Sequence, residues 1–439
     1  MGTDTLVGPD ILLINPWVYD FACYDFWLKP FGLLKIGGLL RKNGYRVKLY
    51  DFLNPYHPAI IDKVKRQRYG TGHFFKVAIP KDRRLLDVPR KYYRYGLPYE
   101  VVYSDLRRMG RPSLILVASG MTYWVSGLIA TVNLLRKVFG DVPIIIGGIY
   151  ATLCYEHAKD TFKNEIIFNG DTDELLDIIS RMVKPGGEPS SNAYPIFDEY
   201  ERIDYVVIST SRGCPYSCSY CASRVLNPYF EERDYREVFE EIVFWYKRYR
   251  VLDFAFYDDA LLFNFENRLG PLLDQLLKSN VRVRFHTPNG IHTKYIDRSI
   301  ARLLKLSGFK TLRLGVERLS FRLDTKTNRE EVERAIGYLR EAGFTKEEIG
   351  AYMMFGFPDE DWDLLVRDII TLDNMGVSVY LAEFSPVPRT PLFDHVRATS
   401  RYDLDEPIFH NNSIFPALKK PDWERIQHIK NMVRSLRKN

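Results

Sequence analysis

Cysteine is scarce in this chain: five in 439 residues, an odd number, with Cys23 and Cys154 standing alone. That count argues against a disulfide framework and for a reducing, cytoplasmic setting. No run reaches the ~18–20 consecutive apolar residues that a membrane-spanning helix needs. The opening stretch, MGTDTLVGPD, has no basic region leading into an apolar core, so export is not expected. A strong excess of one charge is missing too, since +6 is modest for this length. Hydrophobic residues make up 46% and charged residues 27%, the proportions of a soluble globular chain of two or three domains. One stretch is locally basic and tyrosine-rich: Lys63, Lys65, Arg66 and Arg68, then Arg83, Arg84, Arg90, Lys91 and Arg94. It reads either as a patch for nucleic acid or an acidic cofactor, or as the solvated face of a long insertion.

What is present is a repeated strand–helix rhythm. Ile11 to Ile14 is a buried-strand run cut off at Asn15-Pro16. Phe31 to Arg41 has helical spacing and closes at Asn43-Gly44. Further strands are expected at Arg46–Phe52, Leu114–Ala118, Ile144–Ile146 and Glu165–Phe168, with helices over Val125–Val138 and Glu174–Met182. This pattern predicts a Rossmann-like parallel sheet over residues 1–190. Residues 54–111 interrupt it and are expected to pack as short helices. Lys184 to Pro195, KPGGEPSSNAYP, has linker composition. Over residues 200–400 the rhythm restarts, with strands expected at Tyr205–Ser209, Leu252–Tyr257, Val281–Phe285, Thr311–Val316, Ile349–Met354 and Ser378–Phe384. Six strand–helix units make either a partial barrel or a second doubly wound sheet. Residues 401–439 form an extension ending in a helix over Trp423–Leu436.

Three of the five cysteines, Cys214, Cys218 and Cys221, fall within SRGCPYSCSYCASR directly after a strand. They are three thiolates for a metal centre or three small residues in a turn. A structural zinc wants a fourth protein ligand, and no second CxxC pair or histidine at finger spacing supplies it. A four-iron cluster held by three thiolates keeps one iron open to an outside ligand.

CPYSCSYC resembles the CxxxCx(aromatic)C signature of radical S-adenosylmethionine (radical SAM) enzymes. The resemblance implies an α/β fold whose second part is a partial (β/α)6 barrel of TIM type. It implies a [4Fe-4S] cluster on Cys214, Cys218 and Cys221, with SAM on the open iron and the Tyr220 ring beside both. FAFYDDALLF, at 254–263, is similar to the second-strand motif and implies Asp258 and Asp259 beside SAM's amino group. PNGIHTKYID, at 288–297, resembles the third-strand loop, with Asn289 near the cofactor. LRLGVERLS, at 312–320, implies Glu317 on the SAM ribose or amine, and Arg318 on its carboxylate. MMFGFPDED, at 353–361, implies that Gly356 leaves room for adenine and Glu360 caps the next helix. FSPVPRTPLF, at 384–393, resembles the sixth-strand closure, with Arg389 where relatives carry glycine. That arginine demands ordinary backbone angles or gives its guanidinium a helper role. Glu383 faces the substrate or serves as partner to a nearby arginine, and with Arg389 it is a catalytic candidate.

The front part resembles the vitamin B12 (cobalamin)-binding domains that precede radical SAM barrels. The stretches are ILLINP, KPFGLLKIGGLLRKNGYRVKLYDF, LILVASGMTYW and VPIIIGGIYAT, in that order. Carried over residue by residue, Ser119 and Thr122 approach the corrin or its tail, and Gly147, Gly148 and Ala151 leave room for it. The DxHxxG motif of cobalamin mutases is absent, as it is in many radical SAM relatives. Together the two resemblances imply a cobalamin-dependent methyltransferase acting on a poorly activated carbon through a 5′-deoxyadenosyl radical. The alternative keeps the barrel without cobalamin, for isomerisation, oxidation, cyclisation or C–C bond chemistry, with the front domain binding substrate. A ferredoxin or flavodoxin-type electron donor is implied as partner, and lipid, peptide and small metabolite stay open as substrates. Nucleic acid is not expected, because the tRNA-modifying relatives carry three further cysteines that this chain lacks.

Overall fold

A computed structural model describes residues 8–320 and 328–438; most of the opening stretch behind the export reading lies outside them. The chain forms two compact units. The front unit runs to Ile203 and takes back residues Asp405–His410; the second spans Asp204–Leu404 and Asn411 onwards.

The front sheet has five parallel strands: β1 (Ile11–Asn15), β2 (Val47–Asp51), β3 (Leu114–Ser119), β4 (Ile144–Gly148) and β5 (Ile166–Ile167). Their order is β2-β1-β3-β4-β5. That is a Rossmann-like doubly wound sheet, in which ligands sit outside the strand ends where the order reverses. β1 is buried on both faces, with Ile11 to Ile14 at 0% exposure, so its apolar run is continuous rather than alternating. Helices at Phe31–Lys42 and Val125–Phe139 make the crossovers, and Asp171 caps the helix Thr172–Met182 through the backbone N–H groups of Asp173 and Glu174.

The insertion at 54–111 departs from expectation. It holds short 3₁₀ turns and the helix Tyr99–Arg108, but also strands. Lys76–Ile79 and Tyr92–Tyr95 join Val18–Asp20 in an antiparallel three-stranded sheet, and Gly72–His73 pairs with Tyr24–Asp25. Its basic residues are partly engaged inside the front unit. Arg66 pairs with Asp25, Arg84 with Asp82 and Glu406, and Arg94 lies 5.3 Å from the Trp17 ring centroid. Residues 184–196 also differ from a free linker. Backbone N–H groups of Gly187, Ser190 and Ile196 donate to the carbonyls of Gly44, Arg41 and Leu34.

The second unit has six parallel strands: β6 (Val206–Ile208), β7 (Asp253–Phe256), β8 (Arg284–His286), β9 (Phe309–Glu317), β10 (Ile349–Phe355) and β11 (Ser378–Glu383). They pair in strict sequence order. A doubly wound sheet would reverse direction at its switch point, so the sequential order makes this the partial (β/α)6 barrel. Helices Tyr235–Tyr249, Leu269–Lys278, Arg298–Leu306, Arg329–Glu341 and Trp362–Asn374 make the crossovers. The tail ends in the helix Trp423–Leu436, which buries Ile426, Ile429 and Val433. Upstream, the Arg401 guanidinium donates to the carbonyls of Ile414, Phe415 and Leu418 and fixes the turn before that helix.

Candidate functional site

The loop after β6 carries the three thiols. Ser211–Arg212 pairs antiparallel with Glu231–Glu232, and this short ladder brackets residues 213–230. Cys214 and Cys218 are half-buried, Cys221 is exposed, and none of the three is in a disulfide. The Cys221 N–H donates to the Cys218 carbonyl at 3.1 Å, and Cys221 Sγ accepts from the Ser223 N–H at 3.4 Å. Tyr216 anchors the loop. Its ring lies 4.7 Å from that of His292, its hydroxyl meets that of Tyr295, and the Lys294 ammonium sits 4.3 Å from its centroid. The Tyr220 hydroxyl is buried; burial, and then the neighbouring Glu317 and Cys218, push its phenol well above the ordinary value. Glu317, distant in sequence, is thus brought to the cysteine loop beside Tyr220.

Among the described residues, no three His, Cys, Asp or Glu side chains converge on a single metal ion. Three thiols on one loop are soft donors of the kind an iron–sulfur cluster takes.

The two adjacent carboxylates at the end of β7 part company. Asp258 is buried and accepts from the Thr210 N–H (3.0 Å), the Thr210 and Ser211 hydroxyls (2.7 and 2.6 Å) and Arg268 Nη1 (3.0 Å). Arg268 is itself 1% exposed and also donates to the carbonyls of Ala260, Leu261 and Phe263. A buried carboxylate needs such compensation. The structure therefore gives Asp258 the work of holding the strand end, where the resemblance implied a SAM contact. Asp259 is exposed and accepts from the Ser223 hydroxyl. Asn289 donates to the Tyr257 and Asp258 carbonyls, at 3.1 and 3.3 Å, and ties the end of β8 to that of β7.

Glu317 ends β9 at a bulge, with φ +60°. A left-handed backbone in a non-glycine residue is strain of the kind that collects at functional sites. Arg318 differs from expectation. Its side chain is fully buried, pairs with Glu360 and lies 4.0 Å from Asp368, so it serves the protein interior rather than a cofactor carboxylate. Glu360 also accepts from the backbone N–H groups of Gly356 and Phe357, while the helix Trp362–Asn374 is capped by Asp361 instead. Gly356 has φ +87°, and a Cβ there would lie 2.7 Å from the Phe415 ring. The space expected for adenine at Gly356 is taken by the tail's own aromatic.

Glu383, at the end of β11, pairs with Lys430 of the final helix; the partner is a lysine, where an arginine was expected. Arg389 has φ +66° and is exposed. The arginine keeps the left-handed backbone natural to glycine, contrary to the expectation of ordinary angles.

In the front unit, Ser119 Oγ donates to the Gly147 carbonyl at 2.8 Å and accepts from the Ala151 N–H at 3.1 Å. Gly148 has φ +108°, and a Cβ there would stand 2.5 Å from the Ser119 carbonyl oxygen. Thr122 Oγ1 lies 2.9 Å from His410 Nδ1. Gly147 differs from these, for a Cβ there would meet nothing closer than 3.7 Å. Ser119, Gly147, Gly148 and Ala151 do come together. His157 bonds Tyr150 at 2.7 Å with its pKa lowered by burial, and burial pushes the Cys154 thiol up to about 12.

Sequence reasoning missed Arg268, Tyr216, Ser223 and Phe415. For Arg268 a signal existed, since two adjacent acids at a strand end demand a cation. Phe415 offered none.

Residues 208–369 match the family model of the radical SAM superfamily, so the chain carries a radical SAM catalytic domain and is an enzyme of that chemistry. It is 23% identical over 352 residues to an uncharacterized methyltransferase of Pyrococcus horikoshii, covering 70% of this chain and 74% of that one. Its fold resembles the radical S-adenosylmethionine methyltransferase TsrM from Kitasatospora setae with cobalamin and [4Fe-4S] cluster bound. The TM-score is 0.62 at 14% identity, over 89% of this chain and 78% of that one. A second TsrM structure, with tryptophan substrate and a SAM analog, matches at TM-score 0.62 and 14% identity, over 89% and 76% of the two chains.

Proposed function

We propose that the chain is a cobalamin-dependent radical SAM methyltransferase acting on a poorly activated carbon. The observation that carries the reading is the loop of three thiols after the first strand of a partial (β/α)6 barrel, in a chain that also holds a β2-β1-β3-β4-β5 sheet. Cys214, Cys218 and Cys221 would each ligate one iron of a [4Fe-4S] cluster. Such a cluster supplies an electron for reductive cleavage of SAM, and cobalamin supplies a carrier for the methyl group. Tyr220 and Glu317, which meet at this loop, would stand beside the cluster. The Asp258–Arg268 pair and Asn289 fix the strand ends next to the loop. Burial around Tyr220 pushes its phenol further above the ordinary value, so the ring is a neutral neighbour of Cys218. Of the two glycines at the end of β4, Gly147 is the one where a Cβ would meet no close neighbour.

A second reading, a radical SAM enzyme without bound cobalamin, is favoured by the closure of Ser119, Gly148 and Ala151 on one another and of Thr122 on His410. Anaerobic purification with cobalamin supplied separates the two readings, with stoichiometric corrin absorption expected for the first. Cys218→Ala is expected to abolish 5′-deoxyadenosine formation with the front unit folded, and unchanged formation overturns both. The electron donor would be a ferredoxin or flavodoxin, the substrate a lipid, peptide or small metabolite, and the setting cytoplasmic. Among the described residues, no helix is long and apolar enough to cross a membrane.

A further inference from the structure

Of the three thiols, Cys221 is the exposed one, and its sulfur accepts a backbone donor, the Ser223 N–H at 3.4 Å. The same Ser223 donates its hydroxyl to the Asp259 carboxylate. Asp259 is held in place by its neighbour, because Asp258 is locked into the Thr210, Ser211 and Arg268 network. A rigid strand end therefore fixes a carboxylate, which fixes a serine, which presents a donor to the outermost sulfur. The two ends of this chain act oppositely on a metal–sulfur centre. An N–H on a ligating sulfur draws off negative charge and favours uptake of an electron. A nearby carboxylate disfavours it, and a hydroxyl bonded to that carboxylate screens the effect.

We propose that Asp259 and Ser223 are positioning residues that set the electron affinity of the cluster through Cys221. This inference rests on the cluster reading above and assigns Asp259 a role besides the SAM contact that the sequence resemblance implied. The step concerned is the gain of one electron by the oxidised cluster from an external one-electron reductant, with no bond made or broken in the protein.

The test is a redox titration of the reconstituted full-length chain with dithionite, read by electron paramagnetic resonance, alongside iron and sulfide content. Asp259→Asn removes the charge and is expected to raise the reduced-to-oxidised ratio at a fixed poise by roughly threefold, the scale of a solvent-screened charge contact. Ser223→Ala removes this hydroxyl's share of the screening and is expected to lower that ratio. Ser223→Thr keeps the hydroxyl and is expected to restore it. A role in folding alone would move the first two variants the same way, through loss of iron. Shifts of the same sign, or no shift at full iron content, overturn the inference and leave the cluster reading standing. A wild-type chain that takes up no iron overturns both.

Discussion

In the front unit two neighbouring strands end in neutral hydrogen bonds, whereas in the barrel unit several strand ends meet charge. Ser119 bridges Gly147 to Ala151, and Gly148 presses on the Ser119 backbone, so β3 and β4 finish in a knot of neutral hydrogen bonds. The barrel strands finish instead on charge. Asp258 meets Arg268, Arg318 meets Glu360, and Glu383 meets Lys430. Both units obey the rule that parallel strands place their loops on one edge. The barrel buries ions there to brace a loop that must carry three thiols and a strained Glu317. A knot of serine and glycine needs no such bracing.

This contrast can be broken experimentally. The largest effect is expected from Arg268→Met, which strands the buried Asp258 carboxylate and costs about 3–5 kcal/mol in urea unfolding of the barrel unit. A loss under ~1 kcal/mol would mean that the charge does not brace the strand end. Gly148→Ala comes next: backbone conformation costs about 1–3 kcal/mol, and the Ser119 carbonyl must give way as well. Calorimetry should show it in the front unit. Ser119→Ala is smaller, about 0.5–1.5 kcal/mol for its hydrogen bonds. If corrin uptake survives this change undiminished, Ser119 serves the knot rather than a ligand.

The smallest effect is that of pH, and it should touch both units. Burial lowers the pKa of His157 in the front unit and of His286 in the barrel from the ordinary 6.5. The unfolded chain takes up protons on these imidazoles below about 6.5, while the folded sites resist until lower pH. Their contribution is complete above that value and is lost as pH falls beneath it. Asp253 adds to the trend at more acidic pH. Burial raises its pKa, but hydrogen bonds from Arg284 and His286 outweigh this and hold it below the ordinary carboxylate value. Thermal midpoints should fall from pH 7 to 5, and His157→Gln should flatten the front-unit slope alone.

Legibility in the sequence follows the same division. The long apolar runs of β1, β3 and β4 announce themselves because both faces are buried. The helices at Tyr235–Tyr249 and Trp423–Leu436 were bounded by their periodicity. The antiparallel strands of the insertion were hidden, for they are two to four residues long, and their partner Val18–Asp20 pairs more than seventy positions away. β8 was misjudged because Val281 and Phe285 suggested an earlier strand, whereas the ladder runs to His286, buried between Asp253 and Thr311. At the site, thiols could be read because few other roles explain three in eight positions. Carboxylates and arginines could be read only as needing partners, since which partner each one finds is set by folding: Glu360 for Arg318, and Arg268 for Asp258.

The return of Asp405–His410 to the front unit has a practical corollary for anyone dissecting the protein. A fragment ended at Ile203 would lack Glu406 and His410, the partners of Arg84 and Thr122. Supplying residues 405–410 as a separate peptide, or splicing them after Ile203 by permutation of the gene, should rescue the solubility of such a fragment where simple truncation does not.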